Sequence, residues 1–127
     1  MATFTKTLLS GSTNGKAIKV AQTATAGTTI HTAVSGTSSL DEVWLYAHNS
    51  SSASVKLTLE WGEATAPDGN IEINIGAEGV GLVLVAPGIL LQNSLVIKAF
   101  ADTANVITLT GYVNRIAECQ DTDSELD

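Results

Sequence analysis

Two histidines, one cysteine and a scatter of carboxylates are the side chains in this 127-residue chain that could hold a metal or move a proton. A zinc site needs such ligands clustered at short, regular spacing. His31 and His48 stand alone on different segments, and Cys119 lies where the residue pattern has lost its period. No metal is expected. Asp41 and Glu42 are adjacent, and neighbours in an extended segment point to opposite faces, so they do not form a general acid–base pair. Asp68-Gly69-Asn70 offers oxygen ligands of the kind calcium takes, but with too little acidic density, and reads as a turn. The serines of Asn49–Ser54 have no histidine placed beside them to activate a hydroxyl. The glycines of Gly76–Gly81 lie between two extended segments and lack the following helix whose N-terminus would bind phosphate. Cys119 has no adjacent Lys or His to lower its pKa. Neither an enzyme nor a cofactor is expected.

The aromatic residues carry more information. Trp44, Tyr46 and His48 alternate along one segment, and Trp61 ends the next. Three uses fit this spacing: the core or rim of a sandwich, a contact between copies of the chain, or a platform for stacking sugars. Trp44, Tyr46 and His48 are the candidates for a contact between copies.

These residues sit in Leu40–Trp61, two alternating runs separated by a serine-rich spacer. In Val55–Trp61, Val55, Leu57, Leu59 and Trp61 share one face, while Lys56, Thr58 and Glu60 share the other. That period belongs to a half-buried strand, and the spacer Asn49–Ser54 reads as the turn of an antiparallel hairpin. Val43–His48 differs, with Val43, Leu45 and Ala47 on one side and the aromatics on the other. A strand with two substantial faces is expected to be covered twice, once by its own domain and once by a partner.

The remainder alternates in the same way. Strands are expected near Phe4–Leu9, Lys16–Ala21, Gly27–Val34, Ile71–Ile75, Val80–Ala86, Leu95–Ala101 and Val106–Asn114. Asn14-Gly15 is a tight-turn signal because both residues tolerate positive φ. Val80–Ala86 is apolar on both faces and reads as a central strand. Pro87-Gly88 should break it, since proline cannot donate to a ladder, leaving Ile89-Leu90-Leu91 as a short piece. Eight or nine short strands without a helix predict an all-β fold, a single antiparallel β-sandwich of the jelly-roll kind. Residues 1–117 form that domain, with 1–10 a possible N-terminal arm. Residues 118–127 read as a disordered acidic tail.

Composition narrows the partners. Charged residues make up 15% of the chain, against roughly 25% in average soluble proteins. Part of the exterior is therefore expected to be buried in an assembly. The net charge is −7, yet five of the thirteen acids lie in Glu118–Asp127, leaving eight acids against six bases in the body. A near-neutral body without a basic patch argues against nucleic acid. One cysteine permits no disulfide within the chain, as in a reducing compartment. No apolar run approaches the ~18 residues of a membrane helix, and the N-terminus lacks a signal peptide's apolar core, so a soluble protein is expected.

One resemblance gathers these expectations. Leu40–Asn49, Val55–Gly62, Val85–Leu91 and Ala104-Asn105-Val106-Ile107 with Gly111–Ile116 resemble the small decoration (cement, or head-stabilising) proteins of tailed bacteriophages. The likeness covers most of Leu40–Ile116 and rests on patterns that determine a fold, not on catalytic motifs. It implies a virion protein made in the host cytoplasm. It further implies a homotrimer at three-fold positions on the capsid surface, clamping neighbouring copies of the major capsid protein. Ala2–Leu9 would then lie along a capsid-protein edge, with Phe4, Lys6 and Leu8 as contacts. A tail or baseplate component and a carbohydrate-binding sandwich are the alternatives.

Overall fold

Chains whose segments alternate at period two bury one face of each strand, and two such layers close a core. The computed structural model of this chain describes residues 2–118. Nine strands follow one another: β1 Ala2–Thr7, β2 Ile18–Lys19, β3 Thr28–Thr32, β4 Leu40–Asn49, β5 Val55–Trp61, β6 Asn70–Ile75, β7 Val83–Leu91, β8 Val96–Ala101 and β9 Ile107–Glu118. A single 3-10 turn, Glu78–Val80, precedes β7. One sheet has the order β1-β9-β4-β7, with β2 also paired to β9, and the other has the order β3-β8-β5-β6. The pairs are nested and antiparallel: β5 with β6, β4 with β7, β3 with β8, β2 with β9. A long hairpin rolled upon itself makes this arrangement, which is the jelly roll.

The two inner faces supply the core. Val43, Leu45 and Ala47 of β4, with Ile107, Leu109 and Val113 of β9, are fully buried. Opposite them lie Leu57 and Leu59 of β5 and Ile97 and Ala99 of β8, equally buried. Each large side chain so removed from water contributes about 1.5–3 kcal/mol before the entropy of ordering is subtracted.

Leu40–Trp61 is not a hairpin. β4 belongs to the five-stranded sheet and β5 to the other, so the serine-rich spacer is an arch that crosses the core. The buried Asn49 side chain organises the arch. Its Nδ2 donates to the carbonyls of Ala53 and Ile75, and its Oδ1 accepts from the Ser51 amide and hydroxyl. A spacer six residues long spans either route, and alternation reveals which face is apolar, not which strand pairs with which.

Other expectations are corrected at the edges. β7 runs straight through Pro87-Gly88, and it is an edge strand, not a central one. Proline is tolerated there because no neighbour needs its missing N–H. The register with β4 shifts between Val43 and Trp44 and again between Leu45 and Tyr46. Val80 lies in the 3-10 turn, and the segment is apolar on both sides because Leu82 and Leu84 remain exposed. Lys16–Ala21 contributes only Ile18 and Lys19 as strand. Within the expected N-terminal arm, Ala2–Thr7 pairs along β9 from Glu118 to Val113. The expected acidic tail lies outside the described residues, apart from Glu118, which ends β9.

Candidate interaction face

Strand parity decides what the outer surface of the five-stranded sheet displays. Asp41, Val43, Leu45, Ala47 and Asn49 of β4 point inward and are buried, so Glu42, Trp44, Tyr46 and His48 point outward. Directly opposite them on β9 stand Asn114, Tyr112, Thr110 and Thr108. On the β7 side, Glu42 faces Leu90 and Tyr46 faces Leu84. On the β1 side, Phe4 faces Ile116 and Lys6 faces Asn114. Residues from four strands thus form one outward surface, aromatic at its centre and aliphatic at its β7 margin. Phe4 is 72% exposed, Leu90 50% and Leu84 45%.

The centre of this face is ordered by its own contacts. The rings of Trp44 and Tyr112 stack with centroids 6.2 Å apart and planes 12° from parallel. The Lys6 ammonium lies 4.6 Å from the centroid of the Tyr112 ring, a cation–π contact. Asn114 Nδ2 donates to Glu42 Oε1 at 2.9 Å. Gly88, in the left-handed region at φ +76°, packs against the indole, where an added Cβ would meet Cζ2 at 3.0 Å. Trp44 Nε1 is buried and has no hydrogen-bond partner among the described residues. His48 Nδ1 lies 3.3 Å from the Gly81 carbonyl, which makes it the donor there.

The structure therefore brings together two sets of candidates that the sequence kept apart. Trp44, Tyr46 and His48 share a face with Phe4 and Lys6. Leu8 follows β1 and is exposed. Trp61 lies elsewhere: it belongs to the other sheet and packs on the core, and its Nε1 donates to the Leu90 carbonyl at 3.3 Å. The three aromatics do not make a single platform.

A second cluster was missed by sequence reasoning. Asp41, wholly buried, accepts from Arg115 Nε at 2.7 Å and Nη2 at 3.0 Å, from the Val34 amide at 3.0 Å and from His31 Nε2 at 2.7 Å. The Ser10 amide donates to His31 Nδ1, so the imidazole proton is assigned to Nε2. The sole warning in the sequence was parity, which puts Asp41 on the apolar side of β4. His31 is on β3 and Arg115 on β9, so the cluster ties the two sheets together at one end of the sandwich. Its Ser10–His31–Asp41 order imitates a hydrolytic triad, but the serine contributes a main-chain N–H, and that bond occupies the nitrogen a base would use. The cluster is a structural clamp.

Burial by itself raises the Asp41 pKa, but the hydrogen bonds from Arg115 and His31 and the charge of Arg115 outweigh it and hold the carboxyl below its ordinary value of 3.8. The Asp41 carboxylate in turn raises the pKa of Arg115. A carboxyl with a lowered native pKa stabilises the fold fully above its unfolded value, and the contribution is lost as pH falls through the native one. The unfolding free energies of the wild type and Asp41→Asn, measured in denaturant from pH 6 to 2, should therefore converge below about pH 4. A constant gap across that range would contradict the assignment.

On the other sheet, Glu60 is 2% exposed although it lies on the outward parity of β5. Its carboxylate accepts from the Thr25 hydroxyl and the Gly27 amide, which folds that loop over the sheet. Beside it opens a cavity of ≈ 230 Å³ lined in part by Glu60, Glu63, Leu95, Val96 and Lys98. It combines carboxylates, an ammonium and the Ser94 hydroxyl with apolar walls. Among the described residues, no three His, Cys, Asp or Glu side chains are grouped to hold a metal ion. The chain matches no protein-family model, no curated protein and no solved structure.

Proposed function

We propose that this chain is a structural virion protein that binds the outside of a tailed-phage capsid as an oligomer of identical copies, three in number. In that position it stabilises contacts between major capsid proteins. The reading rests on the sequence resemblance and on one structural observation, the outer face of the five-stranded sheet. Monomeric domains rarely leave Trp, Tyr, Phe and Leu contiguous on one outward surface without a partner. Trp and Tyr are enriched at protein interfaces because they bury large area with few rotatable bonds. Trp44 and Tyr46 share this surface with Leu84 and Leu90 of β7, and we assign the partner that covers these four to the capsid protein. Several such contacts on a linked oligomer reinforce one another through effective concentration.

Purified particles of the virus carrying the gene provide the test. The chain should be present in a fixed ratio to the major capsid protein and lie on the outer surface. Absence from the particle would refute the reading, and localisation to the tail would replace it with the baseplate alternative. Changing Trp44 and Tyr46 to Ser together should lower capsid occupancy by about tenfold or more, as loss of aromatic anchors does. Far-ultraviolet circular dichroism should show the sandwich retained.

A further inference from the structure

Five described strands lie at sheet edges: β1, β2 and β7 on one sheet, β3 and β6 on the other, and β2 is only two residues long. Open edges invite pairing with another chain, and folded proteins normally block them. Two are blocked here. β7 carries Pro87, which has no N–H, and two register shifts against β4. Along β3, the Ser10–Gly11 segment takes the edge groups, with the Gly11 amide donating to the Ile30 carbonyl at 2.9 Å and the Thr32 amide to Ser10 Oγ at 2.7 Å. β1 and β6 have neither device. Each is six residues long and pairs in unbroken register with its single neighbour, β1 with β9 and β6 with β5.

We propose that β1 of one copy pairs antiparallel with β6 of the next. This rests on the oligomeric reading above and names the contact that would build it. One register satisfies both faces at once. With Thr5 opposite Ile73, Lys6 falls opposite Glu72 and Phe4 opposite Asn74 on the outward side. On the inward side, Thr3 and Thr7 meet Ile75 and Ile71, so β-branched residues pack on β-branched residues. The Lys6–Glu72 pair joins opposite charges across the contact. Among the described residues Glu72 has a distant, exposed ion pair, 3.8 Å from Lys56 Nζ. The alternative of β1 on β1 would use one patch twice and stop at a dimer. β1 on β6 uses two different patches head to tail, which closes into a ring of three where each copy is turned by one-third of a circle from the last.

Charge exchange tests the contact without any capsid present. Light scattering on the eluting full chain should give the mass of three copies for the wild type. Lys6→Glu and Glu72→Lys should each raise the dissociation constant about tenfold or more, and the double exchange should restore the wild-type mass. A Thr5→Cys/Ile73→Cys chain carrying Cys119→Ser should oxidise to covalently closed rings. Unchanged mass in both single variants, a double variant as dissociated as the singles, or a wild type of single-copy mass would each overturn the ring. So would cross-linking of the Thr5→Cys single variant to itself. A ring that assembles as described but never binds particles supports this contact and refutes the capsid assignment instead.

Discussion

Replacing Asp41 with alanine is expected to destabilise the fold by about 3–5 kcal/mol, the usual loss when one partner of a buried ion pair is removed. The carboxylate is the common acceptor for four donors: two from Arg115 and one each from His31 and the Val34 amide. Without it, the imidazole of His31, itself 1% exposed, retains its bond from Ser10 but has no acceptor on the other side. Arg115 fares better, because its side chain is 35% exposed and can turn to water. The loss therefore falls mainly on the junction between the sheets. Small domains have only about 5–15 kcal/mol in total, so this single change removes a large fraction of it. Unfolding in urea, with an unchanged slope and a lower midpoint, is the measurement. A change below about 1 kcal/mol, the size of a surface substitution, would mean that the clamp is not under tension. Asp41→Asn should lie between the two, since it keeps an oxygen toward Arg115 but loses the charge.

A comparable loss is expected from Gly111→Ala, for a purely steric reason. Gly111 stands opposite Leu45 in the middle of the β4–β9 pairing. An added Cβ would run into the Trp44 carbonyl oxygen and come to 3.1 Å from the Leu45 Cα. Both are main-chain atoms and cannot swing aside as a flexible side chain would. Moving β4 away would lift Leu45, which is fully buried, out of the core and would separate the Trp44–Tyr112 stack. The cost should be about 4 kcal/mol or more, in the range of severe core disruption. Near-ultraviolet circular dichroism reports on the stack and thermal unfolding on the core, and both should change together. Gly79→Ala is the control, because a methyl there meets nothing within 4 Å. If Gly111→Ala melts with that control, the strands are less closely opposed than described here.

Neither residue announced itself as critical. Gly111 lies in an alternating run and looks like a weak point in a strand, since the carbonyl it must avoid belongs to residue 44. Asp41 was legible in part. The two-residue period separates it from Glu42, and the structure bears this out, with Asp41 buried and Glu42 turned outward. Its partners come from residues 31 and 115, which no local pattern connects to it. The aromatic face was also legible in part: alternation alone places Trp44 and Tyr46 on the side opposite Val43 and Leu45, where they are found. That Tyr112, Phe4, Leu84 and Leu90 complete the same surface depends on which strands lie beside β4.

The sequence by itself determined that this is an all-β sandwich, where most strands run, and which side of each is apolar. Those properties are local, because side chains alternate at period two in any extended segment whatever its neighbour. Tertiary structure decided that β4 and β5 part into different sheets, that Pro87 is harmless on an edge, and that Asp41 finds His31 and Arg115. Such outcomes depend on contacts between residues far apart in the chain. They are selected by the packing of the whole core and by the hydrogen-bond needs of buried groups such as Asn49 and Asp41.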